Sequence, residues 1–596
     1  ESVGAVSLLD GYNQLNVVNG GTNVASTQLN LASLTRSANG GTLNFSGATG
    51  QAGSNARITI GSINGVSTAT VDAGLTNGII GGWAVIGTSD FASYIPGLGV
   101  GALGALGFPA YSPAVIVANS SLATDNIKLN TTASTISANV TINSLATSNV
   151  AVGTLGIADG STLTIGSGGV LSFTNTSWSI GSAPNVGSLT SGSGELFLYA
   201  QGSGVLTVNS TITGAIGVVK FGANTVALSG NNTYTGGTTF SQGTLTINAG
   251  SLIPAATDPL KGLILNNTGL TTTFAAAVAP ANIITLNAGA NITYFGNNTQ
   301  AGLIFNNLGG TGNPTVRTFN TAGISSATGV LTIGSAGITV TSANVGTMAF
   351  IEGRVDFGAT AKTINVGAFE INGATDVAPL QAAFLLQGIV GSAGGINKTG
   401  NGVLQLNAQA NFTGAFNVTA GGLKIGVTNA GSRFSALTLG AGTRLDLNNQ
   451  NTAWGSLAGS GDVFSSAGTP TLTFGFDNSS TTFSGRFVRF NDAAYAQLQK
   501  VGSGQLTLNT AQDAEGSWST FTVNGGVVQY QDAGRAYVVT GAASRSTFNL
   551  NTAGVLSLAN GATAVNNRLG LNVDGILAVQ GGRFSLSGNA GSAVTE

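Results

Sequence analysis

Asn232-Thr-Tyr-Thr-Gly-Gly-Thr-Thr-Phe240, followed by Gly243-Thr-Leu-Thr-Ile247, decides the reading of this chain. A glycine-rich turn feeds a short strand in which Leu245 and Ile247 alternate with Thr244 and Thr246. That period of two belongs to a strand with one buried and one solvated face. The unit recurs. Lys398-Thr-Gly-Asn-Gly-Val-Leu-Gln-Leu-Asn407 leads to Asn411-Phe-Thr-Gly-Ala-Phe-Asn-Val418 and Gly421-Gly-Leu-Lys-Ile425. Lys500-Val-Gly-Ser-Gly-Gln-Leu-Thr-Leu-Asn509 leads to Phe521-Thr-Val-Asn-Gly-Gly-Val-Val-Gln529. In each copy a lysine precedes a glycine turn, a strand follows, and a second glycine turn feeds the next strand.

One such turn cannot bury its apolar side alone, whereas equivalent turns stacked about 4.8 Å apart share a continuous core. The pattern therefore predicts an all-β fold, a right-handed parallel β-helix (β-solenoid) with irregular loops and an N-terminal cap-like region. At roughly 20–25 residues per turn, the chain holds on the order of 25 turns, a stack somewhat over about 100 Å long. Soft boundaries divide it into N-terminal turns with a cap-like excursion (1–113), a central solenoid (114–450) and C-terminal turns (451–596). The excursion is marked by Gly81-Gly-Trp-Ala-Val-Ile-Gly-Thr-Ser-Asp-Phe-Ala-Ser-Tyr94 and the Gly-, Ala- and Pro-rich sequence up to Pro113.

Composition narrows the chemistry. Gly accounts for 92 of 596 residues and charged residues for only 7%, far from the roughly 25% of ordinary globular chains. With neither Cys nor His, disulfides, thiol chemistry and the usual zinc sites are excluded. A net charge of -2, with 19 Lys and Arg scattered along the chain, argues against nucleic acid, which calls for a concentrated basic face. No apolar run is long and unbroken enough to predict a transmembrane segment. Absence of thiols and a polar-faced repeat suit an extracellular or cell-surface location, and the opening at Glu1 shows no charged-then-apolar leader.

The repeat resembles the autotransporter-associated β-strand repeat of bacterial surface and secreted passenger proteins. The resemblance rests on Lys220-Phe-Gly-Ala-Asn-Thr-Val-Ala-Leu-Ser-Gly-Asn-Asn-Thr-Tyr-Thr-Gly-Gly-Thr-Thr239, on 398–425 and on 500–529. Gly455-Ser-Leu-Ala-Gly-Ser-Gly461 and Phe483-Ser-Gly485 are similar to the segments that link such repeats. It implies a parallel β-helix passenger with an adhesive or structural role. Members with a membrane anchor end in a β-barrel of roughly 12 strands, and no stretch here carries that pattern.

Candidate chemistry is sparse. Glu352, Arg354 and Asp356 alternate and would share a strand face, the arrangement of a carboxylate pair in a glycan-active enzyme; a solvated, charge-balanced face is the plainer reading. Asp513 and Glu515 lie beside Trp518 in a loop, a candidate sugar subsite. Asp10, Asp90, Asp125, Asp159 and Asp574 are isolated oxygen ligands, weak candidates for incidental calcium binding at a loop, with unligated surface carboxylates as the plainer reading. Asn231, Asn232, Asn448, Asn449, Asn566 and Asn567 sit at corners, where Asn tolerates tight turns. Trp83 and Tyr94, with Phe91, either pack the excursion or join Trp518 as binding aromatics. We expect no enzyme, no cofactor and no metal. The expectation is a structural surface protein whose copies associate head to tail into a homopolymer or layer. A monomeric adhesin passenger in contact with surface polysaccharide is the alternative.

Overall fold

Alternating apolar residues pair coil on coil into straight ladders. Leu155 pairs with Ile180, Ile180 with Val208, Val208 with Leu228 and Leu228 with Ile247, all in parallel register. Each of these side chains is 2% exposed or less. The computed structural model describes residues 1–20, 26–37, 40–47, 56–87, 90–147, 152–173, 175–310, 312–318, 329–410, 412–491, 494–511, 518–536, 547–560, 565–566, 568–569, 576–588 and 594. Its secondary structure is β throughout apart from one short 3-10 turn at Pro259–Lys261. The protein is a β-solenoid, as the repeat predicts.

The chain divides into two compact units, Glu1–Ala301 and Gly302–Glu596. In the first, three parallel walls form the early coils. One stacks Asn126–Leu129, Ser144–Thr147, Gly169–Ser172, Glu195–Ala200, Gly217–Phe221, Thr238–Phe240, Leu263–Asn266 and Ile283–Asn287. A second runs from Ala133–Ile136 to Thr244–Ile247, and a third from Val140–Ile142 to Thr211–Ile212. Coil length varies. Lys220 pairs with Phe240, 20 residues on, and Phe240 with Leu265, 25 residues on.

The N-terminal residues build two small sheets of their own, partly antiparallel, over Ser2–Ala102. They lie against the outside of the first wall. A single cluster joins Trp83, Val85, Phe91 and Tyr94 to the outward-facing Ala146, Leu171, Phe197, Tyr199, Val219 and Phe221. This is why the strand Gly217–Phe221 is buried on both faces along most of its length, where a free solenoid wall would alternate. Arg36 fixes the contact. Its Nη2 lies 2.7 Å from Glu195 Oε2, with the two side chains 9% and 13% exposed. Its Nε donates to Gly41 O, and its guanidinium lies over the rings of Phe197 (4.8 Å) and Trp83 (5.8 Å).

The cap over the first coil is a different segment. Ser112 N donates to Asn126 O, Asn130 N to Val115 O, and Ser137 N to Asn119 Oδ1. Residues 112–119 thus occupy the edge that the first coil would otherwise leave open. Of the excursion predicted as a cap, Ala84–Ile86, Asp90–Ile95 and Gly99–Ala102 pack on the flank instead, and the capping strap lies almost wholly beyond its end at Pro113.

In the second unit the same physics recurs with two principal walls. Leu404, Leu423, Leu445 and Val463 form one inward ladder; Phe416, Leu437 and Leu457 form another. Near the end the walls merge into the long strands Trp518–Gln531 and Thr547–Ala559, which pair along most of their length with a register shift between Val523 and Gly525. The aromatic of the turn motif is buried, at a corner without a strand for Tyr234 and at the end of the strand Thr481–Phe483 for Phe483. Tyr234 and Phe483 are fully buried, and Phe412 packs edge-on against Trp454 at 6.1 Å.

Replacing Arg36 by Ala should cost about 3–5 kcal/mol, because it strands the Glu195 carboxylate in a nearly dry interface. The Arg36→Ala/Glu195→Ala double variant should recover a sizeable part, and a denaturant double-mutant cycle measures the coupling.

Candidate functional site

The lysine that opens each repeat copy points inward. In Ile396–Thr399, Ile396 and Lys398 are buried while Asn397 is half-buried; in Ala496–Lys500, Ala496, Leu498 and Lys500 share the buried phase. Lys220, Lys398 and Lys500 are all at most 2% exposed. Lys220 Nζ donates to Phe221 O, Gly222 O and Gln242 O at 3.3, 2.5 and 2.7 Å. Lys398 Nζ donates to Gly400 O, Gly402 O and Ala420 O at 2.5, 2.5 and 2.8 Å. Lys500 Nζ donates to Val501 O at 2.5 Å, with Gly502 O and Gly525 O farther off at 3.3 and 3.5 Å. The last acceptor of each set belongs to the next coil, two residues beyond the lysine's ladder partner Phe240, Val418 or Val523. Each ammonium therefore clips one corner to the next.

The glycines make the clip possible. Gly222, Gly400 and Gly502 have φ of 85°, 73° and 70°, a region that L side chains rarely adopt. A Cβ at these positions would also collide with the carbonyls of Ala200, Val366 and Gly475 in the preceding coil. Burial pushes the Lys220 ammonium down from its usual 10.5 to about 7. Burial, helped by the Arg444 charge, does the same to Lys398, also to about 7. Lys500 is lowered by burial and partly restored by Asp477. The carbonyl acceptors favour the charged form and work against the desolvation.

The sequence-derived candidates are dispersed. Trp83 and Tyr94 are each 6% exposed within the N-terminal core, with Phe91 beside them at 1%. Burial leaves neither ring face open to a ligand. The backbone of Trp518 begins a strand; Asp513 and Glu515 lie outside the described residues, as do Asp574 and Asn567. Glu352, Arg354 and Asp356 do not share a strand face. The chain turns at Gly353 (φ 109°), which puts Ala349–Glu352 in one wall and Arg354–Asp356 in the other. Glu352 is instead bonded to Arg317 at 2.6 Å, and Asp356 accepts from Gly358 N.

The isolated aspartates serve local structure. Asp90 accepts from Lys128 Nζ (2.8 Å) and from Tyr111 OH (3.0 Å), and burial, with the Asp90 charge, pushes the Tyr111 hydroxyl well above its usual range. Asp125 accepts from Ser112 Oγ and Leu122 N, and Asp159 from Gly160 N. Asn448 and Asn449 adopt φ of 48° and 58°. Asn232 Oδ1 accepts from Ile212 N, and Asn231 N donates to Asn185. Among the described residues no three His, Cys, Asp or Glu side chains gather around a common point, and no helix is long and apolar enough to cross a membrane.

What the outer faces offer is uncharged and repetitive. Asn417 donates to Asn397 (2.9 Å), Asn287 to Asn266 (2.6 Å), Asn551 to Asn524 (2.6 Å) and Thr473 to Gln499 (3.0 Å), coil to coil. Comparison with known proteins agrees with that geometry. The passenger-associated-transport-repeat family model matches residues 218–252 and 396–425, the stretches that carry the first two clips. The chain carries autotransporter passenger-type repeats. It is 28% identical over 387 residues to the "Adhesin BmaC autotransporter" of Brucella suis biovar 1 (strain 1330), an alignment covering 62% of this chain and 10% of that protein. The chain thus spans about a tenth of the length of that curated relative. No solved structure matches it. This passenger-type chain is an extracellular or cell-surface protein.

Two pH effects of opposite sign follow from the buried groups. Between about pH 7 and 10.5 the unfolded chain holds lysine protons that folded Lys220 and Lys398 release, so stability rises with pH across that window. Tyr199, Tyr234, Tyr294 and Tyr530 are raised by burial, so the unfolded chain ionises first and stability falls above about pH 10. Denaturant midpoints measured from pH 6.5 to 11 should pass through a maximum. Lys220→Met/Lys398→Met should flatten the rising limb and lower stability by about 1–3 kcal/mol for each carbonyl left without a donor.

Proposed function

We propose that this chain is a non-enzymatic segment of a larger surface adhesin, serving as a repetitive scaffold and as a contact surface for glycans or other polar surfaces. The observation that carries this reading is the match of the clip-bearing repeats to passenger repeats, together with the relative named as an adhesin. The outer walls support it. Ladders of Asn, Gln and Thr present hydrogen-bonding groups at coil spacing with few charges, a chemistry that suits hydroxyl-rich polymers. The isolated, locally bonded carboxylates described above favour scaffold over catalyst.

Head-to-tail association into a fibre is the second reading. The strands Ile576–Gln580 and Arg583–Ser587 expose Ile576, Val579, Phe584 and Leu586 at 36–51%, an apolar ladder edge that another chain segment could extend. The edge at the first coil is covered by residues 112–119, which weakens a stacking contact between copies. Adhesion therefore ranks first.

Cells displaying this chain on their surface should attach to glycan-coated plates more than cells displaying an unrelated solenoid. The purified chain should remain as discrete particles in negative-stain electron microscopy at every concentration. Equal attachment would sink the adhesive reading, and long uniform filaments would put the fibre first.

A further inference from the structure

A groove of about 650 Å³ opens on the second unit between Gln409 and Val501, within the roughly 300–1,000 Å³ of small-ligand sites. Its floor is the outward ladder Ala453–Thr473–Gln499. The depression exists because Ala453 is short where its neighbours are Thr and Gln. Asn451 edges it, its Oδ1 occupied by Thr471 N at 2.8 Å. Phe476 lines it while 41% exposed, an apolar ring face left open beside polar groups.

Among the described residues, Arg433 is the only charged one lining this groove. Its guanidinium lies 4.8 Å from the ring of the neighbouring Phe434, which limits its freedom. Arg36, Arg317 and Arg486 each have a carboxylate oxygen partner. Arg433 has none among the described residues. Gln499, which also lines the groove, accepts from Thr473 through Oε1.

We propose that this groove binds a uronate unit of an acidic polysaccharide. The Arg433 fork takes the carboxylate by two parallel hydrogen bonds. Phe476 stacks against the apolar face of the sugar ring, and Gln499, Thr473 and Asn451 reach its hydroxyls. Among the described residues no carboxylate lines the groove to repel the ligand. The proposal deepens the adhesive reading and rests on it, since it names the class of surface that this wall would contact.

The test is affinity electrophoresis of the full chain through gels containing hyaluronan, neutral dextran or dextran sulfate, with folding verified by circular dichroism. Hyaluronan should retard the wild type, and added salt should weaken the effect; dextran should not retard it. Arg433→Ala should weaken hyaluronan binding tenfold or more, and Arg433→Lys should recover part of it. Ala453→Phe, which fills the groove without altering charge, should abolish retardation. No retardation in hyaluronan, equal retardation of Arg433→Ala, or retardation by dextran sulfate alone overturns the proposal. If cells displaying the chain still attach to glycan surfaces in that case, the adhesive reading survives and the groove assignment alone fails.

Discussion

Stacking sets the terms for everything else in this protein. A coil of some 20 residues has two or three short strands and no second layer of its own, so its apolar side chains find cover only in the coils above and below. Each coil must therefore repeat its neighbour's register, because a slip of one residue would turn the buried Leu and Ile outward. The ladders from Leu155 to Ile247 and from Leu404 to Val463 show that register held while loop lengths between strands vary. Variation is confined to the corners, where a loop can lengthen without moving a strand.

Corners are also where the stack is weakest. As the chain reverses direction, carbonyl groups leave the ladder and would be buried without donors. The inward lysines answer this. An ammonium with three donors meets carbonyls from its own turn and from the following one, trading desolvation of a cation for satisfaction of several backbone acceptors. The lowered lysine values have that desolvation as their first cause. The repeated spacing of lysine, glycine turn and next-coil carbonyl means that the same bargain is struck at three places in the chain.

Much of this was legible in the residues, and the rest failed for identifiable reasons. The alternation at Leu506 and Leu508 gave the buried face directly. The lysine before each glycine turn was visible too, and its place on the apolar phase of Ile396-Asn-Lys398 was the signal for its inward course. Its acceptors were not visible, since they depend on which residue of the next coil lies alongside. Glu352 to Asp356 misled because a corner glycine between two short strands has the same spacing as an unbroken strand. Trp83 and Tyr94 kept a binding reading beside the packing one because residues of their cluster, Phe197, Tyr199 and Phe221, are more than a hundred residues away in sequence. Neither strand period nor turn chemistry reports a contact of that range.

The distribution of charge follows from the same constraint. A solenoid wall whose outer face alternates with a buried ladder needs polar side chains at every second position but gains little from ionising them, since exposed pairs contribute only about 0–1 kcal/mol. Amide and hydroxyl ladders bridge successive coils without repulsion between like neighbours, which a column of identical charges would suffer. Charge is then concentrated where geometry must be fixed: Arg36 with Glu195 at the flank, Lys128 with Asp90 beneath the N-terminal sheets, and Arg486 with Asp462 along a wall. On so neutral a surface, a single cation without an oxygen partner changes what the wall can recognise more than it would on an ordinary protein, because few neighbouring charges compete with it or screen it.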